Sequence, residues 1–233
     1  MALDPQINDE VLTFTMPQQK ADYADDAEID AELDRLPDDE TVEETVANLE
    51  ERGFDVIVVD DADEALTAVK SQIPDGVSVM NGHSTTLEEI GFDEFLSEGD
   101  HDWESLPDQI WSIDDDAERQ TARRESQTAD YFLGGINAVA QTGELVAADL
   151  SGSRIGAYPF AAGNVVIVTG ANKVVPTLSD AFDRLESVAY PLENERAQEA
   201  YGAESAIAKQ LVYRRETEEG RTTVVLVREQ LGY

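Results

Sequence analysis

A three-layer α/β sandwich around a mainly parallel sheet is the fold this sequence predicts, and three observations predict it. Short, nearly continuous apolar runs occur at 54–59, 77–80, 165–168 and 222–227, with another opening at Tyr131. Such runs suit strands buried on both faces. Stretches of helical spacing, several opening on capping residues, alternate with them. Polar punctuation then follows the central runs, at Gly134–Asn137, Gln141–Gly143, Ser151–Arg154 and Gly170–Lys173. Open α/β sheets build ligand sites at their carboxyl edges in this way.

Each element has a local reason. Residues 1–36 read as an acidic arm, in part disordered, with a short acidic helix before Pro37. Residues 37–233 read as a single domain, since no repeat or low-complexity linker divides them. Thr41 and Glu44 form a capping box; Val42, Val46 and Leu49 keep helical spacing, and Gly53 ends the helix. Phe54–Val59 is rich in β-branched residues and reads as a strand. Asp61 and Glu64 cap a second helix with Ala62, Leu66, Val69 and Ile73 on one face. Val77–Met80 is the next strand and runs into Asn81-Gly82-His83-Ser84-Thr85-Thr86. Residues 93–113 read as irregular, anchored by Trp103 and Trp111, and a polar helix follows from Asp114. The central segment gives a strand, a hairpin around Thr142-Gly143, a short helix near 154–161 and the strand Val165–Val168. Thr177 caps a helix carrying Leu178, Ala181, Phe182, Leu185 and Val188. Residues 192–221 are polar with no clear period, and Thr222–Val227 closes the domain as a strand.

The composition excludes several classes of function. The chain has 51 acidic and 16 basic residues, a formal net charge of −35. So large a single-sign charge repels itself in dilute buffer, and molar salt, with a Debye length of ~3 Å, screens that repulsion. With only four lysines (Lys20, Lys70, Lys173 and Lys209), the balance predicts a halophilic protein. No basic face is present for a nucleic acid. No membrane span or signal peptide is visible, so a cytoplasmic protein is expected. The absence of cysteine excludes a cysteine-ligated iron–sulfur cluster within the chain. Two histidines, His83 and His101, are too few for most zinc sites, and no metal is expected.

Two constellations could bind a ligand. In the first, Gly82 permits close approach, and Ser84, Thr85 and Thr86 stand where a helix begins, offering hydroxyls and amides to a phosphate or carboxylate. They could equally serve only as caps. The second comprises Asn137, Thr142, Arg154, Asn172 and Lys173, at strand ends and turns. Lys173, a rare lysine directly after a buried strand, fits a partner that is an anionic ligand or a buried acid. His83 could move protons, but Asp130, Glu144 and Asp149 form no pair fixed by spacing, so no catalytic residue is assigned.

Residues 79–92, Val-Met-Asn-Gly-His-Ser-Thr-Thr-Leu-Glu-Glu-Ile-Gly-Phe, resemble the Gly-x-Ser-x-Thr-Leu-x-Glu-x-Gly signature of the LUD (lactate-utilisation domain) family. The likeness continues through 134–143, 151–154 and 168–176, then Arg184, Pro191 and the C-terminal Val-Leu-Val-Arg-Glu-Gln-Leu-Gly-Tyr. These blocks keep the family's order over about 40–233. The resemblance implies the fold shared by ribose-phosphate isomerase and the CoA transferases. It also implies a part in oxidising lactate to pyruvate, beside iron–sulfur subunits. Many relatives carry cysteines between the last helix and the final strand, whereas 192–221 has none here. Glu144 matches the position of a catalytic acid in isomerase relatives, a role not transferred to this chain.

Two functions are consistent with these readings. One is an accessory component of lactate utilisation that binds a small anionic metabolite or a redox partner. The alternative is an isomerase- or transferase-type enzyme acting on a sugar phosphate or CoA ester. Fold alone does not choose between them.

Overall fold

The computed structural model describes residues 19–24, 27–99 and 101–233. The greater part of the expected N-terminal arm, 1–18 with Asp25 and Asp26, lies outside the described residues.

Six parallel strands form the central sheet, in the order β1 (Asp55–Val59), β10 (Thr222–Val227), β7 (Asn164–Gly170), β4 (Tyr131–Gly135), β2 (Ser78–Asn81) and β3 (Glu104–Ser105). Alternate residues feed two cores. Phe132, Val165, Ile167, Val224 and Leu226 face Val42 and Leu49 of α1 (Asp39–Glu51). Leu133, Val166, Val168, Val225 and Val227 face Ala65 and Val69 of α2 (Ala62–Gln72), Leu87 of α3 (Thr85–Glu89) and Leu96 of α4 (Phe92–Glu98). Burying each such Val or Leu contributes roughly 1.5–3 kcal/mol. The expected α/β sandwich with a parallel sheet is therefore present.

One outer layer differs from a plain layer of helices. Strands β8 (Val174–Val175), β5 (Ala138–Ala140), β6 (Leu145–Asp149) and β9 (Lys209–Tyr213) make a second sheet in that order. Val139, Leu145 and Ala147 pack from it against the same core as α1. The predicted Thr142-Gly143 turn joins β5 and β6, which pair antiparallel.

Several starts lie a few residues from their expected positions. Asp38, not Thr41, caps α1, accepting from the Thr41 amide at 2.9 Å. Of the three hydroxyls at the start of α3, Ser84 is the cap. In each case an oxygen-bearing side chain stands three residues before an otherwise unpaired amide of the first turn. Asp61 caps α2 as expected. Residues 93–113 are not irregular throughout: their described part holds most of α4, then β3 and α5 (Leu106–Trp111). Trp103 anchors them, its ring 4.9 Å from His101 and 5.6 Å from Phe95. Trp111 is no anchor, being 49% exposed. The polar helix α6 (Asp116–Glu125) and the short α7 (Ser153–Gly156), prolonged by a π turn over Ala157–Ala161, lie where expected.

The region 192–221 also gains structure. Helix α8 (Leu178–Arg184), boxed by Thr177 and Asp180, continues through a π turn (Leu185–Ala189) into α9 (Tyr190–Tyr201). Pro191 has no amide to give the Ser187 carbonyl four residues back. The Asp30 amide donates to that carbonyl instead, at 3.0 Å. The segment around Asp30 is thereby tied to the helix just beyond Arg184. Among the described residues, no helix is long and apolar enough to cross a membrane.

Candidate functional site

Strands β2, β4 and β7 end side by side, and their following loops converge. Gly135 closes β4 against Ser84, so near that a β-carbon there would lie 2.6 Å from the Ser84 hydroxyl. Ser84 accepts from the Leu87 amide at 3.4 Å, so its hydroxyl serves as a cap. Thr85 shares a 3.1 Å hydrogen bond with the Tyr23 hydroxyl. Thr86 points inward and accepts from Lys173 Nζ at 2.8 Å.

Lys173 is the electrostatic centre of this region. It sits in a 3-10 turn just after β7 and is 1% exposed. Its amine donates to Thr86 and, at 3.2 Å, to the Ile136 carbonyl. Among the described residues, no carboxylate lies within ion-pair distance of it. Burial, followed by the nearby Arg184 cation, holds the amine well below its ordinary pKa, with Glu89 opposing them. A charged amine in such a place favours a nearby anion.

Arg184 binds the next carbonyl along. Fully buried at the end of α8, it donates to Asn137 O, to Asn172 O at 3.4 Å and to Asp34 Oδ1 at 2.7 Å. Asn172 also donates to Asp34 Oδ1, at 2.8 Å. Lys20 pairs with the other Asp34 oxygen, which accepts from Gln230 at 2.8 Å. Burial by itself would raise the Asp34 carboxyl; the hydrogen bond and charge of Lys20, then Arg184 and Asn172, hold it below the ordinary value.

The C-terminal segment covers the same place. The Leu231 amide donates to Asn172 Oδ1 at 3.1 Å, and the Gly232 amide to Glu89 Oε2 at 2.6 Å. Gly232 has φ +54, and a β-carbon there would stand 2.2 Å from the Thr86 hydroxyl and 3.1 Å from Lys173 Nζ. Only glycine fits over the amine at that point.

Arg154 lies at the rim with its stem against Gly82. It donates to Ala148 O at 2.7 Å and to Asn137 Oδ1 at 3.4 Å, and pairs with Asp149 at 3.3 Å. These contacts make it a clamp between β4 and β6 more than a free cation. Beside it, His83 Nδ1 is 3.2 Å from Glu88 Oε1. Asp93 accepts from Asn81 at 2.7 Å, and burial, with the Glu88 charge, raises its carboxyl to about 7.

The structure thus brings Gly82, Ser84, Thr85, Thr86, Asn137, Arg154, Asn172 and Lys173 to one carboxyl edge. Thr142 is not among them. Its hydroxyl donates to Glu144 at 2.6 Å, and its carbonyl accepts from Arg52 at 2.6 Å, beside the amino end of β1. The hairpin carries it away because β5 runs back from Asn137. Sequence reasoning missed Arg184 and Asp34 as members of the group. One signal was present: Arg184 lies three and four residues from Ala181 and Val188, on the helix's apolar face.

The LUD domain model matches residues 42–227. The chain belongs to the LUD domain family. No curated protein matches it. Among solved structures it is similar to a DUF162 family protein from Deinococcus radiodurans, at 12% identity and a TM-score of 0.48, over 83% of this chain and 99% of that one. A second is ribose 5-phosphate isomerase from Plasmodium falciparum, at 14% identity and a TM-score of 0.30, over 49% of this chain and 52% of the other. Residues 20–24, 27–34 and 228–233, which gather around Lys173, lie outside the matched LUD region.

Proposed function

We propose that this LUD domain is an accessory component of lactate utilisation that binds a small carboxylate- or phosphate-bearing metabolite at Lys173, working beside iron–sulfur subunits. The observation carrying this reading is a buried amine that touches only neutral acceptors, with Arg184 next to it. An incoming anion would favour the charged form of the Lys173 amine beside Arg184 and accept charge-assisted hydrogen bonds from it. The enzymatic alternative loses support at Glu144, the acid after the hairpin glycine. Its oxygens engage Thr142 at 2.6 Å, Arg52 at 2.9 Å and Arg214 at 3.5 Å, remote from Lys173.

The test is calorimetry with lactate, pyruvate and inorganic phosphate at constant high salt. Lys173→Ala should weaken the best ligand by roughly 1.5–3 kcal/mol, about 10- to 150-fold. Equal affinities for wild type and variant would exclude Lys173 as the anchor.

The proposed setting is a high-salt cytoplasm, and it makes its own prediction. With 51 acids against 16 bases, the melting temperature should climb steeply between ~0.1 M and ~1 M potassium chloride, as the Debye length falls from ~10 Å to ~3 Å. A melting temperature independent of salt would contradict halophilic adaptation.

A further inference from the structure

Resting on the reading of Lys173 as an anion site, we infer that Arg184 and Asn172 form an adjoining carboxylate subsite, and that Asp34 is its built-in occupant. Asp34 then competes with an external carboxylate for the same donors.

The geometry is that of a bound carboxylate. Asp34 Oδ1 receives Arg184 at 2.7 Å and Asn172 at 2.8 Å, while Oδ2 receives Gln230 at 2.8 Å and pairs with Lys20. Arg184 and Asn172 are both 0% exposed. They belong to the LUD domain proper, whereas Asp34 arrives from outside the matched region. Lys173 and Arg184 bind successive carbonyls, Ile136 O and Asn137 O. A ligand carboxylate placed on Arg184 would therefore leave its neighbouring oxygen or substituent facing Lys173. A small hydroxy or oxo acid has that shape.

The segment is held by contacts that can be exchanged. Tyr23 packs edge-on against Tyr233 with ring centres 5.9 Å apart, and the Lys20 amide donates to Glu89 at 3.0 Å. These link residues 20–24 to the C-terminal segment, which with residues 27–34 forms the strap over Lys173. While Asp34 occupies the subsite, only the open fraction of molecules binds, and apparent affinity falls by that fraction.

The experiment measures lactate affinity in the full chain for wild type, Asp34→Asn and the double variant Asp34→Asn/Arg184→Met. Asp34→Asn should bind lactate about tenfold more tightly, corresponding to a strap closed in roughly nine molecules of ten. The double variant should lose that gain. A folded Asp34→Asn chain that binds lactate no better than wild type would overturn the inference. Should the substitution unfold the chain, amide exchange on wild type decides. Saturating lactate should speed exchange across residues 27–34, and unchanged exchange would overturn the proposal. The Lys173 reading fails separately, if Lys173→Ala leaves lactate binding intact.

Discussion

Glu216→Ala should cost about 3–5 kcal/mol of stability, the usual loss when one partner of a buried ion pair is removed. Glu216 and Arg221 are 9% and 7% exposed. The Glu216 carboxylate accepts from the Tyr213 hydroxyl, Arg221 at 2.9 Å, the Thr222 hydroxyl at 2.7 Å, and the amides of Thr217 and Glu218 at 2.7 and 3.0 Å. Arg221 also donates to Tyr158 O and Ala162 O, at 2.9 and 3.0 Å. The pair therefore stitches the β9–β10 loop to the π turn under β4. Alanine would leave the guanidinium buried with two carbonyls and no anion. Urea unfolding at fixed high salt measures the effect, and a loss below about 1 kcal/mol would show that water reaches Arg221.

The same group sets an acid limit. Burial alone would raise its carboxyl, but the donors, led by Tyr213, outweigh that and lower it from 4.5 to about 2. Its folded pKa is depressed, so its stabilisation is complete above about 4.5 and is lost as pH falls through about 2. Replacing the pair together, with Glu216→Gln and Arg221→Met, should recover much of the loss, since no unpaired charge remains.

What the sequence revealed follows from the range of the forces involved. Five of the six strands of the parallel sheet were legible because burial leaves a nearly unbroken apolar run, whereas the short polar edge strand β3 has none. Caps were legible to within a few residues, since Asp38 starts the helix one turn before Thr41 and takes the Thr41 amide itself. The second sheet was not, because β8 joins it through long-range pairing of Val174 with Val139. The fold of 93–113 depends on Phe92, Phe95, His101 and Trp103 meeting as rings. That is a tertiary event without a period. In the site, Asn172 and Lys173 were legible because they follow closely on the buried strand β7, and Thr86 because it stands at a helix start. Arg184 looked like one charge on an amphipathic helix, and its partner Asp34 lies 150 residues away. Thr142 misled because a hairpin turn resembles a strand-end loop in sequence, while its strands reverse direction.

Anion binding at Lys173 should take up a proton. In the free protein, burial and the Arg184 charge hold the amine well below its ordinary pKa. A bound carboxylate or phosphate would stabilise the ammonium form and raise that pKa. The sign follows: above the free amine's pKa, binding adds a proton to Lys173, so affinity rises as pH falls. The slope reaches about tenfold per pH unit for one linked proton. It flattens below the free amine's pKa, where the proton is already in place. The groups around Lys173 fit this coupling. Arg184, Lys20 and Arg154 oppose its charge, and Glu89 favours it. Calorimetry of lactate binding in two buffers of different ionisation enthalpy reads the proton directly. Wild type should give heats that differ by the difference between the two buffers' ionisation enthalpies, for one proton taken up. Lys173→Met, which retains the length of the side chain and removes the titrating group, should bind weakly with no buffer dependence. Identical wild-type heats in the two buffers, at a pH where lactate binds, would mean that Lys173 is already charged in the free protein. The depressed amine would then have no part in recognition.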